Sequence, residues 1–176
     1  MDDLSLHVLD IAENSLRADA KVIEIDVVRQ GDLLRIEVID DGRGMDAETL
    51  QQVRDPFFTT KHKKTGLGIP LLSQAAEMTG GSFRVDSAPG RGTRVAATFG
   101  WAHVDRPPLG DMAETLLTLI AGHPDRDYIY EEREGEGRFR FDTREVRQDL
   151  EDVPIADPAV LTAIRDLLKQ NIRIKE

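Results

Sequence analysis

The chain has 176 residues, 40% of them apolar, enough for one medium domain, or one with a small appendage, to bury an ordinary core; it has no cysteine, which excludes disulfides, thiolate metal sites and cysteine nucleophiles. Its net charge is −10, split as −4 over residues 1–100 and −6 over the rest, so neither half offers the basic surface that a phosphodiester backbone needs, and nucleic acid is not an expected partner. No stretch reaches the ~18 apolar residues of a membrane span, and Met1-Asp2-Asp3-Leu4 lacks the basic start of a signal peptide, so no membrane association and a cytoplasmic location are expected.

Leu4, Val8, Ile11 and Ser15 recur at helical spacing, with Leu9 and Leu16 beside them, and predict an amphipathic helix over residues 4–19. Residues 21–29 and 33–39 then alternate apolar and polar, and Gln30-Gly31-Asp32 supplies the hairpin turn between two strands. Asp46 reads as the N-cap of a short helix over 47–54. A further helix over 66–79 is stopped by Gly80-Gly81, and strands over 82–87 and 92–99 are joined by Ala88-Pro89-Gly90-Arg91. This order predicts a two-layer α/β sandwich with a mixed, mostly antiparallel sheet covered by helices.

Beyond it, residues 102–108 read as a linker in which Pro107-Pro108 bars helix. Residues 109–121 are helical and close on Gly122-His123-Pro124. Two alternating segments, 127–132 and 138–143, flank the hairpin signal Glu134-Gly135-Glu136-Gly137. Asp157-Pro158, an N-cap followed by proline at the first helical position, opens a last helix with the stripe Val160, Ile164, Leu167, Leu168 and Ile172. The expectation is a domain over 1–101 and a small α-β-β-α appendage over 109–176. So short a segment has only a thin core of its own and must pack on the first domain or on a partner.

Four segments carry the chemistry. They are Asp10-Ile11-Ala12-Glu13-Asn14; Asp40-Asp41-Gly42-Arg43-Gly44; Pro56-Phe57-Phe58-Thr59-Thr60-Lys61 with Thr65-Gly66-Leu67-Gly68; and Gly90-Arg91-Gly92-Thr93. In this order they resemble the N, G1, F/G2 and G3 boxes of the GHKL ATPases, which include DNA gyrase, heat-shock chaperones, histidine kinases and mismatch-repair ATPases. The predicted element order is similar to the Bergerat fold of that superfamily, and the resemblance covers residues 5–100.

The resemblance implies ATP and Mg2+ as ligands and a role for each box. The Asn14 side-chain oxygen would bind the magnesium that bridges the phosphates; the plain alternative is a polar helix position. Asp10 occupies the place of a water-activating glutamate, one methylene shorter, and is the candidate catalytic base. Otherwise it is a carboxylate of the magnesium shell or the helix surface. Arg17, one turn after Asn14, is a candidate phosphate contact or a solvated cation, and Ala18 follows it in the nucleotide-binding run. Asp40 would accept the adenine amino hydrogen, with Gly42, Gly44 and Met45 bringing the loop against the base; a tight turn after a strand is the alternative. Thr60 and Lys61 open a short lid and Thr65, Gly66, Leu67 and Gly68 end it at a helix start, where backbone amides favour phosphate. Thr93 would bind near adenine, partly through water, or belong to a simple glycine turn.

Only 13 residues precede Asn14, so the phosphoacceptor hairpin of histidine kinases is not expected, and neither His7, His62, His103 nor His123 has a phosphoacceptor setting. The functional expectation is an Mg-ATP-dependent signalling kinase or ATPase acting on a protein partner, at a histidine or, as anti-sigma kinases do, at Ser/Thr. The alternative is a non-catalytic, nucleotide-gated regulatory subunit. A homodimer is compatible with either role, although no heptad pattern demands one. Gly110-Asp111-Met112-Ala113-Glu114-Thr115-Leu116 and Phe141-Asp142-Thr143-Arg144-Glu145-Val146 also resemble the ends of short bacterial ATP-binding proteins encoded among iron-hydrogenase and ferredoxin-like subunits, which implies a redox complex as one candidate partner.

Overall fold

The structure is a computed structural model, and it describes residues 3–53 and 68–175. In chain order these form α1 (Leu4–Arg17), β1 (Val22–Gln30), β2 (Leu33–Asp40), α2 (Ala47–Val53), α3 (Gly68–Met78), β3 (Phe83–Ser87), β4 (Thr93–Gly100), α4 (Met112–Gly122), β5 (Asp127–Glu134), β6 (Gly137–Asp142), α5 (Thr143–Leu150) and α6 (Pro158–Asn171). The strands make one open sheet in the order β3-β4-β2-β1-β5-β6. All neighbours are antiparallel except β1 and β5, which run parallel.

Alternation decides which face is covered. Ile23, Ile25 and Val27 of β1, Leu34, Ile36 and Val38 of β2, and Val95, Ala97 and Phe99 of β4 are all buried. They share one core with Leu4, Val8 and Ile11 of α1, Leu72 and Ala76 of α3, and Leu116 and Ile120 of α4. Helices α1, α3 and α4 pack on this side, α1 touching both of the others.

The segment after residue 108 has the expected α-β-β-α order with one addition, the short helix α5 after β6. Its strands extend the same sheet. Tyr128 and Tyr130 of β5 are fully buried beside Ile23 and Ile25, their register partners on β1. Residues 102–108 are likewise tied in at both ends. Trp101 lies between the Arg29 and Arg106 guanidinium groups, 4.2 and 4.4 Å from its ring centre. The amides of Leu4 and Ser5, first-turn donors that a helix cannot satisfy itself, donate to the carbonyls of Pro108 and Leu109 at 2.8 and 2.9 Å. At the C-terminus, buried Glu132 accepts from the Tyr130 hydroxyl at 3.0 Å and from the Arg173 amide, holding the last residues on β5.

The other face of the sheet carries charge. Glu37, Asp26 and Glu131 lie side by side across β2, β1 and β5, in register. Glu37 is neutralised by Arg35 at 3.0 Å and Arg94 at 2.6 Å, and Glu131 by Arg138 at 3.0 Å and Arg133 at 3.5 Å. The Oδ1 atom of Asp26 is buried and has no hydrogen-bond partner among the described residues. Burial first, then the neighbouring carboxylates of Glu24, Glu131 and Glu37, push its carboxyl up to about 6. A native state that holds this proton more tightly than the unfolded chain gains stability as pH falls from about 6 towards 3.8, and carries the full penalty above 6. Asp26→Asn is therefore expected to raise stability at pH 7 by roughly 1–3 kcal/mol. Urea denaturation across pH 4–8 checks this: the advantage of the variant should close as pH approaches 4, and an advantage independent of pH would contradict the assignment.

Candidate functional site

Three of the four sequence boxes, those over 10–14, 40–44 and 90–93, meet at one end of the sheet around the Asp40 carboxylate, and of the remaining box only Gly68 lies among the described residues. Asp40 is the last residue of β2, paired in register with Ile23 and Thr93, and only 9% of it is exposed. Its Oδ1 accepts from the Gly42 amide at 2.8 Å and the Thr93 amide at 3.2 Å. Its Oδ2 accepts from the Ser15 hydroxyl at 2.6 Å. Ser15 reaches it because the apolar face of α1, with Val8, Ile11 and Ala12, packs on the sheet and turns position 15 inward with them.

Backbone contacts close the loop after β2 onto its neighbours. The Arg43 amide donates to the Ala18 carbonyl at 2.9 Å, and the Gly90 amide to the Arg43 carbonyl at 2.7 Å. Gly44 and Gly92 have φ of +70°, and a side chain at either would overlap the carbonyl of Ala88 or of Asp40. Met45 is placed through its amide, which donates to the Ser87 hydroxyl at 2.9 Å. The single Ser87 proton goes to the Gly92 carbonyl at 2.9 Å, so the Thr93 hydroxyl is the donor in the 2.9 Å contact between the two side chains. A cleft of about 390 Å3 opens here, lined by Asp40, Leu50, Val85, Ser87 and Thr93 among others.

Asp10 and Asn14 lie on the partly exposed edge of α1. The Asp10 Oδ2 packs where a side chain at Gly68 would sit, which brings the first residue of α3 against the N box. Arg17 is turned onto its own helix, with Nη1 2.7 Å from the Asn14 Oδ1 and Nη2 3.5 Å from Glu13. Thr60, Lys61, Thr65, Gly66 and Leu67 lie outside the described residues.

Two participants were given no part in the site by the sequence. Ser15 sits beside Asn14 on the buried stripe of α1, and a hydroxyl on an otherwise apolar face is the signal that could have marked it. Ser87 ends a strand whose alternation explains the position without any polar task. Asp41 has a purely structural part, its Oδ1 accepting from the amides of Lys21 and Val22 at 2.7 and 2.9 Å, which fixes the start of β1. Among the described residues no group of three or more His, Cys, Asp or Glu side chains could hold a metal ion.

The comparisons with known proteins converge on this half of the chain. Residues 2–102 match the family model described as histidine kinase-, DNA gyrase B- and HSP90-like ATPase. The sensor histidine kinase ZraS of Klebsiella oxytoca is 37% identical over 94 residues, 52% of this chain and 20% of that protein. Sporulation kinase C of Bacillus subtilis is 33% identical over 87 residues, 48% of this chain and 20% of that protein. The nitrogen regulation protein NtrY of Azorhizobium caulinodans is 35% identical over 77 residues, 43% of this chain and 10% of that protein. The chain thus spans about a fifth or less of the length of these curated relatives. The cradle around Asp40 and the match over residues 2–102 lead to one conclusion: the chain belongs to the family of histidine kinase-, DNA gyrase B- and HSP90-like ATPases and contains its ATP-binding domain.

Proposed function

We propose that the chain binds Mg-ATP in the cleft beside Asp40 and works as a kinase-like ATPase module acting on or with a protein partner. The observation that carries this reading is the hydrogen bonding of Asp40. A carboxylate has about four acceptor positions. Ser15, Gly42 and Thr93 use three of them, two on Oδ1 and one on Oδ2. The fourth, on Oδ2, calls for one more N–H donor at the mouth of an apolar cleft, and the amino group of adenine is such a donor. Guanine would present a carbonyl there, acceptor facing acceptor, at a cost of roughly 1–3 kcal/mol. The Thr93 hydroxyl, its own proton given to Ser87, keeps acceptor capacity beside the base.

The donor set also fits a magnesium ion brought in by the phosphates, because such an ion takes few ligands from the protein. Asn14 Oδ1 would hold it, one of its lone pairs remaining beside the one given to Arg17. When bound, the ion draws off negative charge from the phosphate oxygens. Arg17 stands next to that position as a phosphate contact. Asp10 is the base of this reading: its Oδ2 is buried against Gly68, leaving Oδ1 to take a proton from water or from an acceptor hydroxyl. Thr60, Lys61, Thr65, Gly66 and Leu67 enter as phosphate contacts through the family resemblance alone.

A second reading, in which nucleotide is bound without being consumed and switches a regulated subunit, draws on Arg17. Its guanidinium occupies one side of the Asn14 oxygen, so loading the site must rearrange the Glu13–Asn14–Arg17 edge of α1, a change that a partner can sense.

Phosphate release from Mg-ATP separates the two. Turnover by the native chain that is lost in Asn14→Ala is the expected result; tight ATP binding with no release would reject autonomous hydrolysis in favour of the switch. Ser15→Ala removes one donor from Asp40 and is expected to weaken ATP and ADP alike by about tenfold in calorimetry, close to 1.4 kcal/mol. Unchanged affinities would show that Ser15 does not orient the carboxylate.

A further inference from the structure

Ser87 and Thr93 face each other across the turn that joins β3 to β4, as register partners at the strand ends. Thr93 is held twice. Its amide donates to the Asp40 Oδ1 at 3.2 Å, and its hydroxyl lies 2.9 Å from the Ser87 hydroxyl. Ser87 is the more heavily engaged of the two. A serine hydroxyl has one proton to give and two lone pairs. The Met45 amide takes one lone pair at 2.9 Å, and the Gly92 carbonyl, which can only accept, takes the proton at 2.9 Å. The position left is a lone pair, and the Thr93 hydroxyl stands beside it.

Two backbone groups fix the Ser87 hydroxyl, so it cannot turn its proton to Thr93 without giving up the Gly92 carbonyl. The Thr93 proton is therefore committed to Ser87, and Thr93 keeps only lone pairs for a ligand. The position left open on the Asp40 carboxylate is a lone pair as well. Between them, Asp40 and Thr93 offer acceptors and no donor. A base edge that carries a carbonyl finds no proton from either residue, whereas an amino group can be accepted by both. Asp40 is an acceptor through its own charge. Thr93 is one only because Ser87 holds its proton, since a free threonine hydroxyl rotates to donate or accept as its neighbour requires.

We propose that Ser87 is a positioning residue for base selectivity: by holding the Thr93 proton it makes that threonine a pure acceptor and adds to the preference for a 6-amino over a 6-oxo purine. This rests on the ATP reading above and gives the same cleft a second selector, separable from Asp40. Ser87 acts through Thr93 and not by touching the base, because every hydrogen-bonding position of its own hydroxyl is already used. Its removal should therefore change which base is preferred, beyond any general loosening of the β3–β4 turn.

Calorimetry of Mg-ATP and Mg-ITP binding to the full chain tests this, because hypoxanthine carries a carbonyl where adenine carries its amino group. The native chain is expected to prefer ATP. Ser87→Ala, which frees the Thr93 proton, should narrow the ratio of the two affinities by about tenfold, and Ser87→Thr, which restores a hydroxyl, should keep it near the native value. Losses shared equally by both nucleotides would mark Ser87 as structural only and overturn the proposal. In a Thr93→Val background, adding Ser87→Ala should leave the ratio where Thr93→Val has put it; further narrowing would show that Ser87 acts by another route and overturn the proposal too. Ser87→Cys, whose sulfur is a weak acceptor, carries the same test if Ser87→Ala does not fold: the ratio should narrow, and an unchanged ratio counts against the proposal. A native chain that binds neither nucleotide overturns the ATP reading and the proposal together. Native preference for ATP with a ratio unmoved in Ser87→Ala overturns the proposal alone.

Discussion

The Asp40 carboxylate is the constraint on which the site depends. It ends β2, and the three groups that donate to it come from α1, from the loop after β2 and from the start of β4. No two of those elements are adjacent in sequence, so one buried acceptor sets their mutual positions. The glycines around it follow from the same closeness: with the Ala88 and Asp40 carbonyls packed against Gly44 and Gly92, backbone meets backbone where side chains would otherwise stand. The hydrogen bonds that aim the carboxylate into the cleft are the ones that tie these elements together, and a change at Ser15 or Asp40 acts on both.

Much of this was legible in the sequence because the signals are local. The alternation of β1 and β2, the Gly31 turn and the apolar stripe of α1 are short-range patterns, and the structure follows them within a residue or two at each end. The family was legible because its boxes are motifs. What escaped lacks a local mark. The parallel pairing of β1 with β5 joins residues about a hundred positions apart, and no turn announces it. Helix α5 is short and strongly charged, and it begins directly at the end of β6, so Thr143 reads as the last residue of a strand. Ser87 looks like an ordinary strand end until Met45 and Thr93 are brought beside it. Arg17 was legible as a cation one turn after Asn14, but its engagement with Asn14 and Glu13 is a matter of rotamer, which spacing alone does not determine.

The open face of the sheet shows a different economy. Charged residues are not scattered over it but stand in cross-strand rows, with Glu37, Asp26 and Glu131 in line over the seam between β1 and β5. Arginines flank the outer two and leave the middle one unneutralised, so the seam that joins the C-terminal strands to the ATP-binding domain is held by main-chain hydrogen bonds and by the tyrosines of the covered face, against a repulsion on the open face.

That seam also has a consequence for how the chain is made. On a ribosome the strands emerge in order, and β1, β2, β3 and β4 are complete well before residue 127 leaves the exit tunnel. During that interval β1 is an edge, with an apolar flank of Ile23, Ile25 and Val27 and an unpaired row of amides and carbonyls, the kind of surface that templates association between nascent chains. Asp26 and Glu24, on the face opposite that apolar flank, are charges of the kind that disfavour pairing of such an edge with a copy of itself. The carboxylate that weakens the finished sheet thus counts against mispairing of the unfinished one.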